Sequence, residues 1–311
     1  MPTLPHSWLP SLPPSVRHGA LTIGNFDGVH RGHAAILAEL KASAKNVGGP
    51  AVVMTFDPHP LQILQPDKFL PVLTTTPDRV ELLKAAGADH VVVLPVTREL
   101  LQLTARSFFD DIIRGQFQPR SLIEGPDFAF GYRREGNVGL LWKWCGEADI
   151  RFAVVETFQL DGQPVSSSRV RDALLKGDVK RATRLLGREY RLQGVVSAGQ
   201  RRGNQLGFPT ANLEQIATVV PGDGVYAVRV KSAGTIWPGA ANIGPNPTFG
   251  ENARKVEVHL IGFHGTLYGE SLKVDFVERL RDTRPFNGVT ELIDQLHKDV
   301  AAAQTILNLH S

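Results

Sequence analysis

Two histidines, His30 and His33, are the first side chains whose types and spacing suggest chemistry. They lie in GNFDGVHRGH (24–33), between the apolar run ALTIG and a segment with helical periodicity. Gly24 and Gly28 would allow a ligand close to the backbone, and a helix start offers free amides and a positive dipole end to phosphate. The pattern predicts a phosphate site that needs no nucleophile. The alternative interpretation is a glycine turn with two solvated histidines.

A second candidate site lies much later in the chain, in GQRRGNQLGFPTAN (199–212). This stretch is glycine-rich and basic, and it ends in the oxygen-bearing side chains of Thr210 and Asn212. It lacks the Gly-Lys-Ser/Thr ending of a P-loop, which disfavours an ordinary P-loop kinase. For PTAN alone, the alternative interpretation is a plain turn.

Alternating strands and helices would position the histidine pair at one edge of a parallel sheet. The pattern predicts strands at 20–24, 51–56, 90–96, 121–125 and 151–158, and helices at 33–46, 75–87 and 105–117. Two short helices follow, broken at Gly177 and Asp178 and ending at Gly187. Such alternation indicates a doubly wound, Rossmann-like sheet, in which ligands bind at the carboxyl ends of the strands.

After residue 187 the pattern changes to strand-like runs separated by glycine and proline turns, which indicates a small β-barrel. The tail repeats apolar residues at helical spacing through Leu292, Ile293, Leu296 and Val300, so one helix closes the chain. The expected organisation is therefore a proline-rich, extended lead-in over 1–18, an α/β domain over 19–187 and a β-barrel domain over 188–311.

Composition limits the class of protein. With 311 residues the chain exceeds one ordinary domain, and 42% hydrophobic with 21% charged residues argue against disorder and against a membrane protein. Neither an apolar run of spanning length nor a secretory signal is readable. Cys145 is the only cysteine, which excludes an internal disulfide and a thiolate metal cluster and fits the cytoplasm. The net charge of +3 comes without dense basic runs, so nucleic acid is not an expected partner.

The stretch GNFDGVHRGH resembles the HxGH signature of the nucleotidyltransferase superfamily, in the longer form of the flavin adenylyltransferases. The second superfamily signature, roughly ISSTxxR, is matched by VSSSRVR (165–171), with Ser168 where threonine is commoner. TFDPHP (55–60) also matches the family. The resemblance implies that AMP is transferred from ATP while the histidines stabilise the phosphate charge. The implied ATP contacts are Gly24, Asn25, Phe26, Asp27, Gly28, His30, His33, His59, Ser167, Ser168, Arg169 and Arg171.

Between these signatures, EGPDFAFGYRREGN (124–137) is similar to the flavin-side motif of the same family. The resemblance makes Asp127, Phe128 and Phe130 the flavin contacts. Aromatic rings beside a strand end could stack on an isoalloxazine ring, and a carboxylate could bond its polar edge. As a plain sequence feature, the same residues are more often a core aromatic pair.

The second candidate site resembles the riboflavin kinase signature GxxxGxxLGFPTAN over its whole length. In that family the threonine and asparagine hold Mg²⁺ and the ATP phosphates, and Mg²⁺ accepts such neutral oxygen ligands. The corresponding magnesium ligands here are Thr210 and Asn212. The implied ATP contacts are Gly199, Gly203, Gly207, Phe208, Pro209, Thr210 and Asn212.

In KVEVHL (255–260), strand alternation places Val256 and Val258 on one face and Glu257 and His259 on the other. The kinase family assigns to this glutamate the role of base for the attacking ribityl hydroxyl, which makes Glu257 the candidate base. Without the family it is an ordinary polar strand residue. The family usually shows RDExxF further on, whereas this chain has RDTRPF (281–286), with Thr283 at the acidic position. Arg281, Asp282 and Phe286 are the implied riboflavin contacts.

Together these resemblances identify the chain as a member of the prokaryotic bifunctional riboflavin kinase and FAD synthetase family. They imply phosphorylation of riboflavin to FMN in the barrel and adenylylation of FMN to FAD in the α/β domain, with ATP and Mg²⁺ in both steps. The expected partners are riboflavin, FMN and ATP, with no nucleic acid or membrane. The oligomeric state stays open. Two alternatives remain at this point: a kinase alone with a vestigial first domain, or a flavin- or nucleic-acid-binding regulator.

Overall fold

The computed structural model describes residues 12–197, 207–246 and 251–308. The chain forms two compact units. The first comprises the chain up to Leu70 together with Thr74–Val165, and the second comprises Pro71–Leu73 together with the chain from Ser166 onward. The sequence places its domain boundary at 187, whereas the compact units divide after Val165, so the two helices before residue 187 fall in the second unit.

The first unit contains a five-stranded parallel sheet in the order β3-β2-β1-β4-β7. This order, with helices between the strands, confirms the doubly wound α/β fold. Short 3₁₀ turns lie at Pro14–Val16, Pro66–Lys68 and Tyr132–Arg134. The elements are β1 (Ala20–Ile23), α1 (Arg31–Val47), β2 (Ala51–Asp57), α2 (Pro60–Leu64), α3 (Thr76–Ala85), β3 (His90–Pro95), α4 (Arg98–Gln102), α5 (Ala105–Ser107), a π-helix (Phe108–Phe117), β4 (Ser121–Glu124), β5 (Ala129–Phe130), β6 (Gly136–Asn137), α6 (Val138–Glu147), β7 (Arg151–Val154), β8 (Gln159–Leu160) and β9 (Gln163–Pro164).

Each face of this sheet has its own apolar core. On one face, Leu37 and Leu40 of α1 and Leu83 of α3 pack with strand residues such as Val53. On the other, the π-helix and α6 pack with strand residues such as Leu122. Because a strand sends successive side chains to opposite faces, this two-sided burial explains why the strands read as continuous apolar runs.

Three features of the first unit differ from the sequence pattern. The stretch 105–117 is helical as predicted, but from Phe108 onward it is a π-helix, whose wider turn buries Phe108, Ile112, Ile113 and Phe117 along one side. Helix α6 is not among the predicted elements; it buries Leu141 and Cys145 and leaves Trp142 66% exposed. The lead-in is not wholly extended: Leu12 is buried in the core, beside the turn at Pro14–Val16.

The second unit is built around a closed antiparallel barrel in the order β10-β11-β14-β13-β12-β15. Strand β10 pairs with β15, for example Leu192 opposite Val274, and so closes the barrel. The barrel and the closing helix confirm the second half of the predicted fold. The elements are α7 (Ser167–Leu175), α8 (Val179–Leu186), β10 (Tyr190–Ser197), β11 (Ala211–Glu214), β12 (Gly224–Ser232), β13 (Thr235–Asn246), β14 (Glu251–Leu260), β15 (Ser271–Arg281) and α9 (Val289–Asn308).

Candidate functional site

The loop between β1 and α1 has a tightly constrained backbone. Phe26 and Val29 have φ values of 48° and 40°, a region that non-glycine residues rarely adopt, and Gly28 has φ 81°. Asp27 is buried, and its Oδ1 accepts from the Thr74 amide at 3.2 Å. The Gly28 amide in turn donates to Thr74 Oγ1 at 3.1 Å. The predicted glycine loop is thus a fixed structure at the carboxyl end of β1, where parallel sheets bind ligands.

The two histidines of the motif lie together at the start of α1. Their rings stack with centroids 3.6 Å apart and an interplanar angle of 16°. His30 is the N-cap residue, and its Nδ1 accepts from the His33 amide at 3.3 Å. Because Nδ1 of His30 acts as the acceptor, Nε2 carries the proton of the neutral ring and can donate to a phosphate oxygen. The structure therefore brings both predicted donors to one helix N-terminus.

The residues between these histidines pack against the segment before α7. The guanidinium carbon of Arg31 lies 4.7 Å from the centroid of the Phe158 ring. At Gly32, a Cβ would come within 3.3 Å of the Val165 carbonyl oxygen and 3.1 Å of the His30 ring. The glycine of HxGH is therefore required by close packing in this unit.

His59 also caps a helix. Its Nδ1 accepts from the Leu61 amide at 3.2 Å at the start of α2, and its ring centroid lies 5.6 Å from that of Phe69. The side chain is half-buried at the carboxyl end of β2, on the same edge of the sheet as the loop after β1.

The predicted flavin motif follows β4 and contains residues in three different environments. Asp127 is exposed and Phe128 half-buried, whereas Phe130 is buried. The rings of Phe128 and Phe130 stack with centroids 5.4 Å apart. Phe130 also contacts Phe108, with centroids 5.6 Å apart. Phe130 is therefore a core residue that supports Phe128, the ring with free surface.

Glu124 is a buried carboxyl that the motif comparison does not single out. It ends β4, is 1% exposed and accepts from the Ile23 amide at 2.9 Å through Oε1. Burial raises the pKa of Glu124 well above its usual range, and the bond from Ile23 opposes that shift only in part. The Glu124 side chain therefore connects the ends of β1 and β4, and its burial favours the protonated form.

The serine–arginine motif lies in the second unit, at the start of α7. Ser166 is the N-cap and accepts from the Arg169 amide at 3.4 Å. Arg171 donates from Nε to the Pro71 carbonyl at 3.1 Å. Ser167 and Ser168 form the first helical turn. A serine of the motif thus caps α7, and the Arg171 bond holds the stretch 71–73 to this helix.

In the barrel, strand register places three polar residues side by side. Glu257 of β14 lies opposite Asn212 of β11 on one side and Asn242 of β13 on the other. Opposed residues of antiparallel strands project from the same face, with Cβ atoms about 5 Å apart. Val256 and Val258 are buried, while Glu257 is half-buried and faces away from the barrel core. This cluster of oxygen atoms is suited to phosphate transfer assisted by a hard cation.

Two histidines hold the segment that leads into β11. Nδ1 of His259 lies 2.8 Å from the Pro209 carbonyl oxygen, which fixes the backbone just before Thr210. The ring centroids of His259 and His297 lie 5.6 Å and 4.9 Å from that of Phe208. Thr210 is exposed, next to the buried Ala211. Sequence reasoning missed His297 and Asn242, because nothing in one chain indicates which elements pack together.

Two of the predicted riboflavin contacts, Arg281 and Phe286, already contact side chains of their own unit. The guanidinium of Arg281 forms a two-pronged ion pair with Asp299 of α9, at 2.9 Å and 2.6 Å. It also lies 5.7 Å from the Phe286 ring centroid. Asp282 is largely exposed. Gly199 and Gly203 lie outside the described residues.

Comparison with known proteins gives matches over both units. A family model described as FAD synthetase matches residues 13–169, and one described as riboflavin kinase matches residues 186–307. A bifunctional riboflavin kinase/FMN adenylyltransferase of Pseudomonas fluorescens is 40% identical over 305 residues, covering 96% of both chains. A protein of the same name from Escherichia coli strain K12 is 37% identical over 290 residues, covering 93% of both chains.

A solved structure described as a macrolide-efflux protein from Streptococcus pneumoniae superposes with a TM-score of 0.84 and 32% sequence identity. The superposition covers 93% of this chain and 94% of the other. Within residues 12–197, 207–246 and 251–308, no helix has the length and apolar character needed to cross a membrane.

Proposed function

Since the chain belongs to the family of bifunctional riboflavin kinases/FMN adenylyltransferases, we propose that the site after β1 carries AMP transfer and that the Asn212–Glu257 site carries riboflavin phosphorylation. The enzyme phosphorylates riboflavin to FMN and adenylylates FMN to FAD, with ATP as donor in both reactions. The observation that carries the kinase assignment is the strand register that sets Glu257 between Asn212 and Asn242.

In the kinase reaction, Glu257 is the proposed base. The ribityl hydroxyl oxygen attacks the γ-phosphorus of ATP, the bond from that phosphorus to the β–γ bridging oxygen breaks, and ADP leaves. Glu257 accepts the hydroxyl proton as the new P–O bond forms. Glu257 is half-buried and lies on the outer face of the barrel with Asn212 and Asn242, so its carboxylate can reach a substrate bound on that face.

The kinase residues fit Mg²⁺. Thr210 and Asn212 would hold the ion through neutral oxygens, and Mg²⁺ ordinarily takes its remaining ligands from substrate phosphates and water. Among the described residues there is no cluster of three or more His, Cys, Asp or Glu that would form an all-protein metal site, which suits this sparse donor set. When bound, the ion neutralises phosphate charge in both reactions.

In the adenylyl transfer, an oxygen of the FMN phosphate attacks the α-phosphorus of ATP and pyrophosphate leaves. We assign His30 and His33 as donors to the phosphate oxygens, where they stabilise the charge that builds up on the leaving group. Gly24–Gly28 approach the nucleotide through the backbone, and Phe128 stacks on the flavin with Asp127 at its polar edge. The assignments of His59, Ser167, Ser168, Arg169 and Arg171 to ATP depend on the motif match.

The remaining parts of the proposal follow from the substrates. Riboflavin, FMN and ATP are small molecules, and the assignment requires no nucleic acid or membrane. We place the enzyme in the cytoplasm, because ATP and a reduced lone cysteine are both expected there.

Product analysis with paired variants tests these assignments. Glu257→Gln should stop FMN formation from riboflavin while FAD formation from added FMN continues. The double variant His30→Ala/His33→Ala should do the reverse, with a loss of FAD formation of about a hundredfold or more. Glu214→Gln, an exposed carboxylate on the same barrel, and His264→Ala, an exposed histidine, serve as controls. Equal loss of both reactions in either variant, or no loss, would reject that assignment.

A further inference from the structure

We propose that Arg79 of α3 is a positioning residue for adenylyl transfer, which holds the loop Gly24–Val29 in its nucleotide-binding conformation. This inference rests on the proposed function of that loop. Arg79 belongs to none of the sequence motifs described above and lies in the stretch between the GNFDGVHRGH and VSSSRVR signatures. No sequence feature separates it from the solvated charges of an ordinary amphipathic helix.

The guanidinium of Arg79 joins the loop after β1 to the end of strand β2 at the carboxyl edge of the sheet. Its Nη1 donates to the Asn25 carbonyl at 3.1 Å, and its Nη2 donates to the Phe56 carbonyl at 2.7 Å and to Thr76 Oγ1 at 3.2 Å. The residue is 2% exposed. A charged side chain buried to this degree needs specific partners, and here they are backbone carbonyl groups on two different segments.

These contacts begin where backbone pairing stops. Strands β1 and β2 are paired as far as Ile23 and Met54, and the last backbone bond runs from the Gly24 amide to the Met54 carbonyl. Asn25 and Phe56 each lie two residues beyond that last pair. The Arg79 side chain therefore continues the connection between the two strands beyond the ladder.

The loop needs such support because its backbone is strained. Two non-glycine residues, Phe26 and Val29, have positive φ, and such conformations persist only where the surroundings fix them. The Asn25 carbonyl receives a second bond from Thr55 Oγ1 at 3.2 Å. With Thr74 bound to Asp27 and Gly28, these donors fix the loop on both sides of Phe26.

Arginine is suited to this position in a way that lysine is not. Its planar fork reaches two carbonyl groups at once, whereas an ammonium is a point donor. Burial lowers the pKa of Arg79 below its usual value, while the charges of Asp27 and Asp57 oppose that shift. The two carboxylates thus keep a positive charge at a site that burial alone would disfavour.

Steady-state kinetics of both reactions on the same preparations test the proposal. The variants are Arg79→Met, Arg79→Lys and Thr55→Val, with Lys84→Met, an exposed cation on the same helix, as the control. We expect Arg79→Met to lower kcat/KM for ATP in FAD formation by about a hundredfold, because small misplacements of binding groups have effects of that size. The KM for FMN and the rate of FMN formation from riboflavin should stay within about twofold, and Arg79→Lys should recover part of the loss.

A parallel fall of both reactions would assign Arg79 to general stability and overturn the proposal, as would unchanged adenylylation. Should Arg79→Met fail to fold, Arg79→Lys and Thr55→Val each remove one donor to the loop, and unchanged ATP kinetics in both would overturn it equally. A wild-type enzyme that forms no FAD from FMN would instead refute the assigned function itself.

Discussion

At the scale of single residues, Glu124 shows how burial favours the neutral form of a carboxyl group and so makes stability depend on pH. It sits at the end of β4, with the Ile23 amide as donor to one oxygen. Because burial raises its pKa in the folded state, folding takes up a proton above pH 4.5, its ordinary pKa. The stability that this residue contributes is complete below that pH and is lost as the pH rises toward the raised pKa.

We predict that Glu124→Gln removes this dependence. Glutamine keeps an oxygen that accepts from Ile23 and does not titrate, so the free energy of unfolding should exceed that of the wild type increasingly from pH 5 to pH 8. The slope of the difference is at most about 1.4 kcal/mol per pH unit for one proton. Thermal unfolding at several pH values measures it, with the exposed Glu81→Gln as control. Parallel pH profiles for Glu124→Gln and the wild type would contradict the prediction.

The motif residues could be predicted from the sequence, but their partners could not. His30 and His33 follow from a strand, a loop and a helix start. The stacking of their rings and the use of Nδ1 as a cap depend on the rotamers that packing selects. The role of Arg79 could not be predicted, because the two carbonyl groups that it joins lie more than twenty residues away in the chain.

At the scale of elements, the closing helix is tied to the barrel by a largely buried ion pair. Asp299 of α9 has a side chain 6% exposed and receives the fork of Arg281 from the end of β15. Gln295 Nε2 adds a bond to Asp299 Oδ1 at 2.9 Å. Removing one partner of such a pair leaves a buried charge without compensation, which is strongly destabilising.

Asp299→Ala should therefore lower the stability of the barrel unit by about 3–5 kcal/mol and abolish FMN formation before it affects FAD formation from FMN. Urea unfolding followed together with both activities measures the difference. Asp294→Ala, on the same helix, provides the matched control. If Asp299→Ala unfolds like the control, the ion pair does not stabilise the unit.

Elements with a clear period could be predicted from the sequence, and those shaped by packing could not. Helix α1 and strands β1 and β2 follow from periodicity and turn residues. The π-helix has the composition of an α-helix, and its five buried apolar side chains do not distinguish the wider turn from an α-helical one in the sequence. Strand β11 begins at the last two residues of the motif stretch 199–212. Those residues resemble a loop in sequence, and the strand is defined by its pairing with β10 and β14.

At the scale of the whole molecule, each family model matches its own part of the chain, which supports the bifunctional assignment over the monofunctional and regulatory alternatives. Each compact unit also has its own core and its own candidate phosphate site. FMN is the product of one reaction and the substrate of the other. Because it is a small molecule that can leave one site and bind at the other, no covalent intermediate has to link the two reactions.

We predict that two inactive variants complement each other in solution. A mixture of Glu257→Gln and His30→Ala/His33→Ala should form FAD from riboflavin, after a lag in which free FMN accumulates. Chromatography of the flavins over time follows both products, and each variant alone is the control. Absence of FAD from the mixture, when each variant retains its own half-reaction, would mean that FMN does not pass through solution.

Closure of the barrel between β10 and β15 also affects the order in which the two units can fold during translation. All five strands of the parallel sheet have been synthesised once the chain reaches Val154. Strand β10, in contrast, cannot pair with β15 until Ser271–Arg281 has emerged from the ribosome. Domains fold as units from the amino end during synthesis, and pairing of distant strands is slow. We therefore expect the first unit to fold while translation continues, whereas riboflavin kinase activity requires the synthesis of β15.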